Sequence, residues 1–241
     1  MFTGSATYQY PIQLSPGTNG LTPSLALTYN SNSRGEVNSV GSNGWSITEN
    51  YIGRDTNSTA NTTSDDIFEL VLNGIRYNLI HSPSEDRYYT EIDSYLYIHN
   101  KTGAPNSHGK YWIVRTGDGT SYQFGYYKFS ELNSTLHNYT SRWSLDFVND
   151  TYGNTIIYNY SENPYADDVG VVYLDKIQYN TNRERVVDFV YESQNRPDMR
   201  KNVTIEGNVN FQSRRLKEIY VKANEELVRR YALSPNLTHF T

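Results

Sequence analysis

Apolar and polar residues alternate along most of the chain with a period of two, and this alternation is the feature that most constrains the fold. Alternation of this kind is typical of a strand with one buried face, whereas a helix needs apolar residues three and four positions apart. No long stretch of the sequence has the helical spacing. The pattern therefore predicts an all-β protein.

The segment 67–80, IFELVLNGIRYNLI, is predicted to form a hairpin because two alternating runs flank Asn73-Gly74. An Asn-Gly pair readily adopts the positive φ angles of a type I′ turn. The apolar residues that alternate around this turn are Phe68, Leu70, Leu72, Ile75, Tyr77 and Leu79.

Two further segments repeat this arrangement, 110–127 with Asp118-Gly119 at its turn and 142–160 with turn residues at its centre. The apolar residues of the second segment that alternate along its two strands are Trp143, Leu145, Phe147, Ile156, Tyr158 and Tyr160. Three hairpins of one kind predict an antiparallel β-sheet meander of many hairpins.

More paired strands are predicted after a polar break in the second half of the chain. Their expected ranges are 171–179, 185–191, 215–221 and 227–233. A short helix near 129–136 is an alternative for that segment, although it is too brief and too rich in Ser and Asn to be stable alone.

Tyrosine dominates the aromatic residues, with 23 Tyr against 8 Phe and 3 Trp among 241 residues. A tyrosine side chain has an apolar ring and a polar hydroxyl, so this composition favours sheets with one solvated face. The net charge of −5 provides no concentrated positive field. Nucleic acid is therefore not an expected partner.

The sequence contains no Cys, which excludes disulfides, thiolate metal sites and Cys nucleophiles. No apolar run is long enough to span a bilayer, so no transmembrane segment is expected. The N-terminus lacks the basic and apolar regions of a signal peptide. An export signal would thus have been removed, lie upstream, or never have existed.

Nine N-x-[ST] sequons occur, where composition alone would give about five. The excess favours an extracytoplasmic glycoprotein, secreted or at the cell surface, although a chain rich in Asn, Ser and Thr also forms such triplets by chance. The candidate N-glycosylation residues are Asn57, Asn61, Asn100, Asn133, Asn138, Asn149, Asn159, Asn202 and Asn236.

The sequence has no arrangement typical of an enzyme active site. Five His residues show neither metal-ligand spacing nor a nucleophile motif, and no Gly-rich phosphate loop is present. We therefore expect no catalytic residue, no cofactor and no metal. A glycosidase would need two carboxylates facing one cleft, a geometry on which the sequence alone does not decide.

Three weaker patterns have alternative functional interpretations. The oxygen-rich segment 55–66 has some features of a calcium loop but lacks the glycine and the final Glu of an EF-hand. Asp167-Asp168 can likewise be interpreted as a calcium ligand pair or as part of a polar loop. We interpret both as surface loops. Tyr88, Tyr95 and Tyr97 could stack on sugars, but we interpret them as structural sheet residues.

The N-terminal string TGSATYQYPIQLSPGTNGLTPSLALTYNSNS, followed by GSNGWSI, resembles the opening of the SpvB-type domain. The resemblance continues through DIFELVLNG, YWIVRTGDGTSYQFG, VDFVYESQNRPD and RRLKEIYVKANEELVRRYALS, so it covers nearly the whole chain. The hairpin DTYGNTIIYNY also looks like the YD-repeat hairpins of Rhs proteins. The sequence departs from the family at SRGEVNSVGSNGW and in a polar loop at 57–64, which affects surface contacts more than the fold.

This resemblance is to the N-terminal region of B components (TcB) of insecticidal toxin complexes and to Rhs proteins. It implies a single SpvB-like β domain over residues 1–241, as a piece of a longer Rhs/YD-repeat polypeptide. The implied function is that of a shell module that helps to encapsulate a toxic C-terminal cargo. The implied partners are the remainder of that shell or a partner shell subunit.

Some SpvB-type proteins carry an ADP-ribosyltransferase domain, whose Glu-x-Glu pair is missing from this sequence. Glu225 and Glu226 are adjacent, and on one strand they would point to opposite faces. The resemblance therefore places any catalytic cargo outside these residues. An alternative function is a secreted or cell-surface adhesion module that binds glycans, a protein or a surface receptor.

Overall fold

The computed structural model describes residues 4–33, 38, 40, 44–59, 62–198, 201–203 and 209–234. Strands make up 51% of the described residues and helix only 4%, which confirms the all-β prediction. The strands are β1 (Thr7–Pro11), β2 (Ala26–Asn30), β3 (Trp45–Ile47), β4 (Tyr51–Asp55), β5 (Ile67–Leu72), β6 (Ile75–Ser82), β7 (Arg87–Thr90), β8 (Tyr97–Thr102), β9 (Lys110–Arg115), β10 (Ser121–Phe124), β11 (Glu131–Asn133), β12 (Thr140–Asn149), β13 (Thr155–Glu162), β14 (Val172–Tyr179), β15 (Arg185–Tyr191), β16 (Asn202–Val203), β17 (Val209–Asn210), β18 (Leu216–Ala223) and β19 (Glu226–Ala232). Three 3-10 turns lie at Thr18–Gly20, Ser31–Ser33 and Lys128–Ser130.

Eight strands close into an antiparallel barrel. Strands β4 to β10 pair in sequence order, and β12 completes the ring by pairing with β4 on one edge and with β10 on the other. Full closure removes the unpaired edges that an open meander would leave. The predicted meander is thus confirmed, and its first part is rolled up.

Aromatic rings fill the interior of the barrel. Phe68, Tyr88, Trp112 and Trp143 pack together with ring centroids 4.7 to 6.0 Å apart. Both Trp side chains are almost completely buried. The barrel therefore has a solid core in which rings from four different strands interlock.

Strand β12, the eighth strand of the ring, contains a β-bulge at Asp146. Leu145 pairs with Phe124 and Phe147 with Gln123, so Asp146 has no partner on β10. A bulge shifts the alternation of side chains by one residue. For this reason Val148 is buried while Phe147 is half-buried. The alternation of Trp143, Leu145 and Phe147 predicts that the three share one face, and for Phe147 this prediction is wrong.

Beyond the barrel, β12 continues into an open antiparallel sheet in the order β12-β13-β14-β15-β18-β19. The sheet formed by β1, β2 and β3 covers one face of it, and the hydrophobic cores of the barrel and of this layer are continuous. The other face is polar: Asp188 lies 2.8 Å from Lys222 Nζ and 3.6 Å from Lys176 Nζ. The expectation of sheets with one solvated face is therefore correct here.

The segment between β1 and β2, residues 12–25, lies across the open sheet and is held there by side chains from distant strands. Gln13 N–H donates to the Tyr231 hydroxyl at 2.9 Å, and the Tyr179 hydroxyl donates to the Ser15 carbonyl at 2.6 Å. We call this segment the N-terminal strap. Gly17 lets it turn tightly, since a Cβ there would lie 2.0 Å from the Leu21 carbonyl oxygen.

The three predicted hairpins are present, with differences near their turns. Asn73 and Gly74 have φ angles of 52° and 82°, as a type I′ turn requires, but Ile75 beside the turn is exposed. The 110–127 hairpin closes with a longer loop in which Thr116 N–H donates to the Thr120 carbonyl. The segment 129–136 forms the end of a 3-10 turn and β11 instead of a helix, because β11 pairs with β12.

Candidate functional surfaces and buried polar groups

The candidate glycosylation residues are scattered over the surface and do not converge on one site. Asn57, Asn138 and Asn159 are exposed, and Asn100, Asn133 and Asn149 are half-buried. Asn61 and Asn236 lie outside the described residues, as does the side chain of Asn202. Asn100 pairs in register with the buried Trp112, which places its side chain on the inner face of the barrel wall.

The described His residues lie apart from one another. His81 packs on Tyr88 with centroids 4.7 Å apart, His99 lies 5.1 Å from the Tyr97 ring, and His137 stacks on Tyr139. Among the described residues, no group of three His, Asp or Glu side chains could hold a metal ion. The fifth residue, His239, falls outside the described part of the chain.

His108 joins a polar cluster at the end of the barrel. Its Nδ1 lies 3.3 Å from the buried carboxylate of Glu131 and 3.2 Å from Thr140 Oγ1, and its Nε2 lies 3.2 Å from Asn138 Oδ1. A catalytic triad needs the nucleophile and the acid on opposite ring nitrogens. Here the hydroxyl and the carboxylate face the same nitrogen, so the cluster fixes the loop at 103–109 and does not activate a nucleophile.

The bulge residue Asp146 organises the loop that follows β10. Its carboxylate accepts hydrogen bonds from the Ser130 hydroxyl at 2.6 Å, from Gln123 Nε2 at 3.1 Å, and from the backbone amides of Tyr126 and Tyr127 at 2.6 and 3.2 Å. Burial raises the pKa of Asp146 above its ordinary value, while these donors act in the opposite direction. Asp146 is not among the residues predicted from the sequence, although an Asp inside the apolar run WSLDFV is a recognisable signal.

Arg54 closes one end of the barrel core. Its guanidinium lies 5.1 to 5.5 Å from the ring centroids of Phe68, Tyr139 and Trp143, and it forms an ion pair with Asp66. Both charged side chains are at least nine-tenths buried. Stacking on three rings and an ion pair together offset the cost of burying the cation.

The carboxylates that suggested calcium loops are engaged by protein donors. Asp66 pairs with Arg54, and Asp65 accepts a hydrogen bond from the Thr59 hydroxyl at 2.7 Å. Asp168 accepts hydrogen bonds from Tyr173 and from the Ser213 amide. Asp66 and Asp168 are thus largely buried and bound by protein donors, which differs from the expectation that both lie in surface loops.

The three tyrosines considered for sugar stacking have different environments. Tyr88 lies inside the barrel, as expected for a structural residue. Tyr95 is 85% exposed in the loop after β7, so its assignment to a sheet is wrong. Tyr97 is 40% exposed on the outer wall, and Arg87 lies between it and Tyr89, 5.5 and 4.2 Å from the two ring centroids.

A small cavity of about 40 Å³ lies between the N-terminal sheet and the open sheet. Arg142 borders it and pairs with Glu49 at 2.7 Å while stacking on Tyr51 at 4.1 Å. The volume suits one or two waters and no larger ligand.

The adjacent residues Glu225 and Glu226 lie at the last hairpin. Glu225 is a turn residue with φ 69° beside Asn224 with φ 51°, and Glu226 starts β19. The two residues therefore do not lie on one strand, because the positive φ angles form a two-residue turn.

The open sheet ends at β19, which pairs only with β18 in the described part of the chain. All its residues except Tyr231 are exposed, including Leu227 and Val228. An open groove of about 420 Å³ adjoins its C-terminal end and is bordered by Arg215, Lys217 and Leu233. Within the described residues, no helix is long and apolar enough to cross a membrane.

Comparison with known proteins identifies relatives of this fold. The crystal structure of TcdB2-TccC3-Cdc42 superimposes with a TM-score of 0.74 and 16% identity, covering 96% of this chain and 14% of that chain. The Photorhabdus luminescens Tc holotoxin pore superimposes with a TM-score of 0.73 and 16% identity, and the match covers 96% of this chain and 14% of that chain. The N-terminal domain of effector protein SpvB from Salmonella typhimurium strain LT2 superimposes with a TM-score of 0.67 and 16% identity. This match covers 89% of this chain and 86% of that chain.

The chain therefore spans only about 14% of the length of the toxin-complex chains that it resembles, but most of the SpvB N-terminal domain. No curated protein matches the sequence. The family model described as Salmonella virulence plasmid 65kDa B protein matches residues 1–206, most of the chain. Sequence and fold thus agree, and the chain belongs to the SpvB family.

Proposed function

We propose that this chain is a non-catalytic wall segment of a hollow, toxin-complex-like shell that encloses a toxic cargo. The observation that carries the proposal is the fold likeness to toxin-complex chains across 96% of this chain. Two buried carboxylates also have structural partners, since Glu131 accepts a hydrogen bond from the Ser107 amide and Asp146 from the Tyr126 amide, and both hold loops. A wall needs this kind of rigidity.

We further propose that residues 1–241 form one domain of a longer polypeptide with Rhs/YD-type repeats. The continuous hydrophobic core supports the first part. The small share of the toxin-complex chains that this chain covers supports the second. A shell of this kind would act outside the cell that makes it, which is the basis for proposing a secreted location.

Protease protection tests the containment function. The complete natural polypeptide is digested under native conditions, and we expect its C-terminal segment to survive as long as the shell is intact. Trp143→Ala should open the wall, because it removes a ring from the centre of the barrel core. Tyr152→Ala, at a ring that is 78% exposed, is the matched control. Containment would be refuted if the C-terminal segment were digested as rapidly in the wild type and in Tyr152→Ala as in Trp143→Ala.

A second candidate function is glycan or receptor binding by the outer barrel wall. The observation that favours it is the exposure of Tyr95 and Ile92 in one short loop, at 85% and 84%. Exposed rings stack on the apolar faces of sugars. A glycan array with the intact chain and with Tyr95→Ala tests it, and an identical binding profile for the two proteins would exclude this loop.

N-glycosylation of the sequons also remains a proposal. Asn57, Asn138 and Asn159 are the exposed candidates among the described residues. Glycopeptide mass spectrometry of the protein from its natural source is the test. We expect occupancy at these residues before Asn100, which faces the barrel interior.

A further inference from the structure

Three connections between strands lie side by side at one end of the barrel. They are residues 91–96 between β7 and β8, 116–120 between β9 and β10, and 150–154 between β12 and β13. Neighbouring strands run in opposite directions, so every second connection is at the same end, and the ring order makes these three neighbours. Two of them touch, since a Cβ on Gly119 would lie 2.5 Å from Thr151 Cγ2. We call these three loops the barrel-end surface.

The three most exposed large apolar side chains of the described residues all lie on this surface. They are Tyr95, Ile92 and Tyr152, and the exposure of each exceeds that of every other large apolar side chain in the described part of the chain. A single exposed apolar side chain is common, but a group of them on neighbouring loops marks an interaction site.

The charge of the barrel-end surface is entirely negative. The three loops contain no Lys, Arg or His, and the nearest cation along the chain, Arg115, lies on the outer wall opposite Tyr97. None of the carboxylates of this surface forms an ion pair with another described residue. These carboxylates belong to Glu91, Asp93, Asp118 and Asp150.

Each exposed tyrosine of the surface is held beside a carboxylate. Tyr95 N–H donates to Asp93 Oδ1 at 3.0 Å, and Tyr152 N–H donates to Asp150 Oδ1 at 2.9 Å. The two loops therefore present the same pair of groups, an aromatic ring and an acid two residues before it.

Arginines of this chain show which group such a pair accepts. The Arg87 guanidinium lies 4.2 Å from the ring centroid of Tyr89 and 2.9 Å from the carboxylate of Glu85. Arg142 makes the same two kinds of contact with another tyrosine and another glutamate. A guanidinium can stack its face on a ring and donate from its edge to a carboxylate at the same time, whereas an ammonium group is a more strongly hydrated point charge.

We propose that the barrel-end surface binds an arginine-bearing segment of a partner protein. Guanidinium groups of that segment stack on Tyr95 and Tyr152 and donate to Asp93 and Asp150, while Ile92 packs against its apolar atoms. A second copy of this surface is not the partner, because two uniformly negative surfaces repel each other. The inference goes beyond the proposed shell function and does not depend on it.

The test uses the full chain and a synthetic ten-residue peptide of alternating serine and arginine, with a serine–lysine peptide of equal charge as its counterpart. Backbone amide shifts of the chain are followed by NMR as each peptide is added at low salt. We expect the arginine peptide to shift amides in the three loops of the barrel-end surface. We expect the lysine peptide to bind at least about threefold more weakly, because it stacks less well on the rings.

A pair of ring variants tests the stacking. Tyr95→Ala combined with Tyr152→Ala should reduce the affinity for the arginine peptide to that for the lysine peptide. Tyr127→Ala is the matched control, because this exposed tyrosine lies in the connection between β10 and β12 at the opposite end of the barrel. It should leave both affinities unchanged.

A pair of charge variants tests the carboxylates. Asp93→Asn combined with Asp150→Asn keeps the side-chain acceptor of each turn and removes its charge, so binding of both peptides should weaken by a similar factor. Asp65→Asn is the control, since Asp65 is exposed in the connection between β4 and β5 at the opposite end of the barrel.

Four outcomes would overturn the inference. They are no shifts in the three loops with the arginine peptide, equal affinity for the two peptides, unchanged affinity in the double tyrosine variant, and binding to a glycan array that depends on Tyr95 while the arginine peptide causes no shifts. The last result would assign the surface to sugars. Failure of cargo protection in the natural polypeptide would refute the shell function and leave this inference unaffected, because the peptides are tested on the chain alone.

Discussion

Gly125 occupies a position at which no side chain fits. Its φ angle is +68°, and a Cβ would lie 2.2 Å from Trp143 Cδ1. Gly125→Ala combines backbone strain with a clash in the barrel core, so we expect the free energy of unfolding to fall by about 2–4 kcal/mol. Urea denaturation measures it. Gly117→Ala, where a Cβ meets nothing within 4 Å, is the control, and an equal effect of both would contradict this explanation.

Asp146 is a residue at which stability should depend on pH. Burial raises its pKa above the ordinary 3.8, so the folded protein binds a proton more readily than the unfolded chain. The stability that this proton contributes is fully present below 3.8 and is lost as pH rises through the folded pKa. Relative to Asp146→Asn, which does not titrate, the wild type should therefore become less stable with rising pH.

Asp150 is a control of opposite sign. Burial is the largest single influence on its pKa and raises it, but hydrogen bonds from Asn154 and from the Tyr152 and Gly153 amides together lower the pKa below its ordinary value. Its contribution to stability is thus lost as pH falls through the folded pKa. Denaturation of wild type, Asp146→Asn and Asp150→Asn from acid to neutral pH checks both signs. The same slope in both comparisons would contradict the assignment.

At the scale of elements, the N-terminal strap depends on hydroxyl groups from the far end of the chain. Tyr231 is 218 residues away from Gln13, whose N–H donates to its hydroxyl. Tyr231→Phe removes that acceptor and keeps the ring contact with Tyr10. We expect faster amide exchange at Gln13 and a loss of about 1 kcal/mol of stability. The same change at the exposed Tyr152 should alter neither, and an unchanged Gln13 amide in Tyr231→Phe would show that the hydroxyl does not hold the strap.

Local elements were predictable from the sequence because their signals are local. The hairpin around Asn73-Gly74 needs only alternation and a turn that accepts positive φ, and both are visible in the sequence. The bulge at Asp146 was missed because a period of two was assumed to continue through β12. A polar residue within an apolar run was the available sign.

Barrel closure and strap attachment depend on contacts between distant segments. Pairing of β12 with β4 joins residues such as Trp143 and Ile52 that no short-range pattern connects. The open edge at β19 also became visible only when the sheet order was known. The tyrosine hydroxyls that hold the strap have no sequence signature of their own, since Tyr is abundant throughout this chain.

At the scale of the whole molecule, β12 belongs to both the barrel and the open sheet, so we expect the two parts to unfold together. In Trp45→Phe the remaining tryptophans, Trp112 and Trp143, report on the barrel alone. Far-UV circular dichroism reports on all strands. The two transitions should coincide in urea. A second step seen only by circular dichroism would show that the open sheet unfolds independently.

The central claim is that this barrel and open sheet form part of the wall of a closed container. Cryo-electron microscopy of the complete natural polypeptide, with any subunit that co-purifies with it, tests this claim most directly. The predicted result is a hollow particle whose wall contains the eight-stranded barrel and the open sheet, with density for a cargo inside. A particle without an enclosed chamber, or one from which this chain projects freely into solvent, would contradict it.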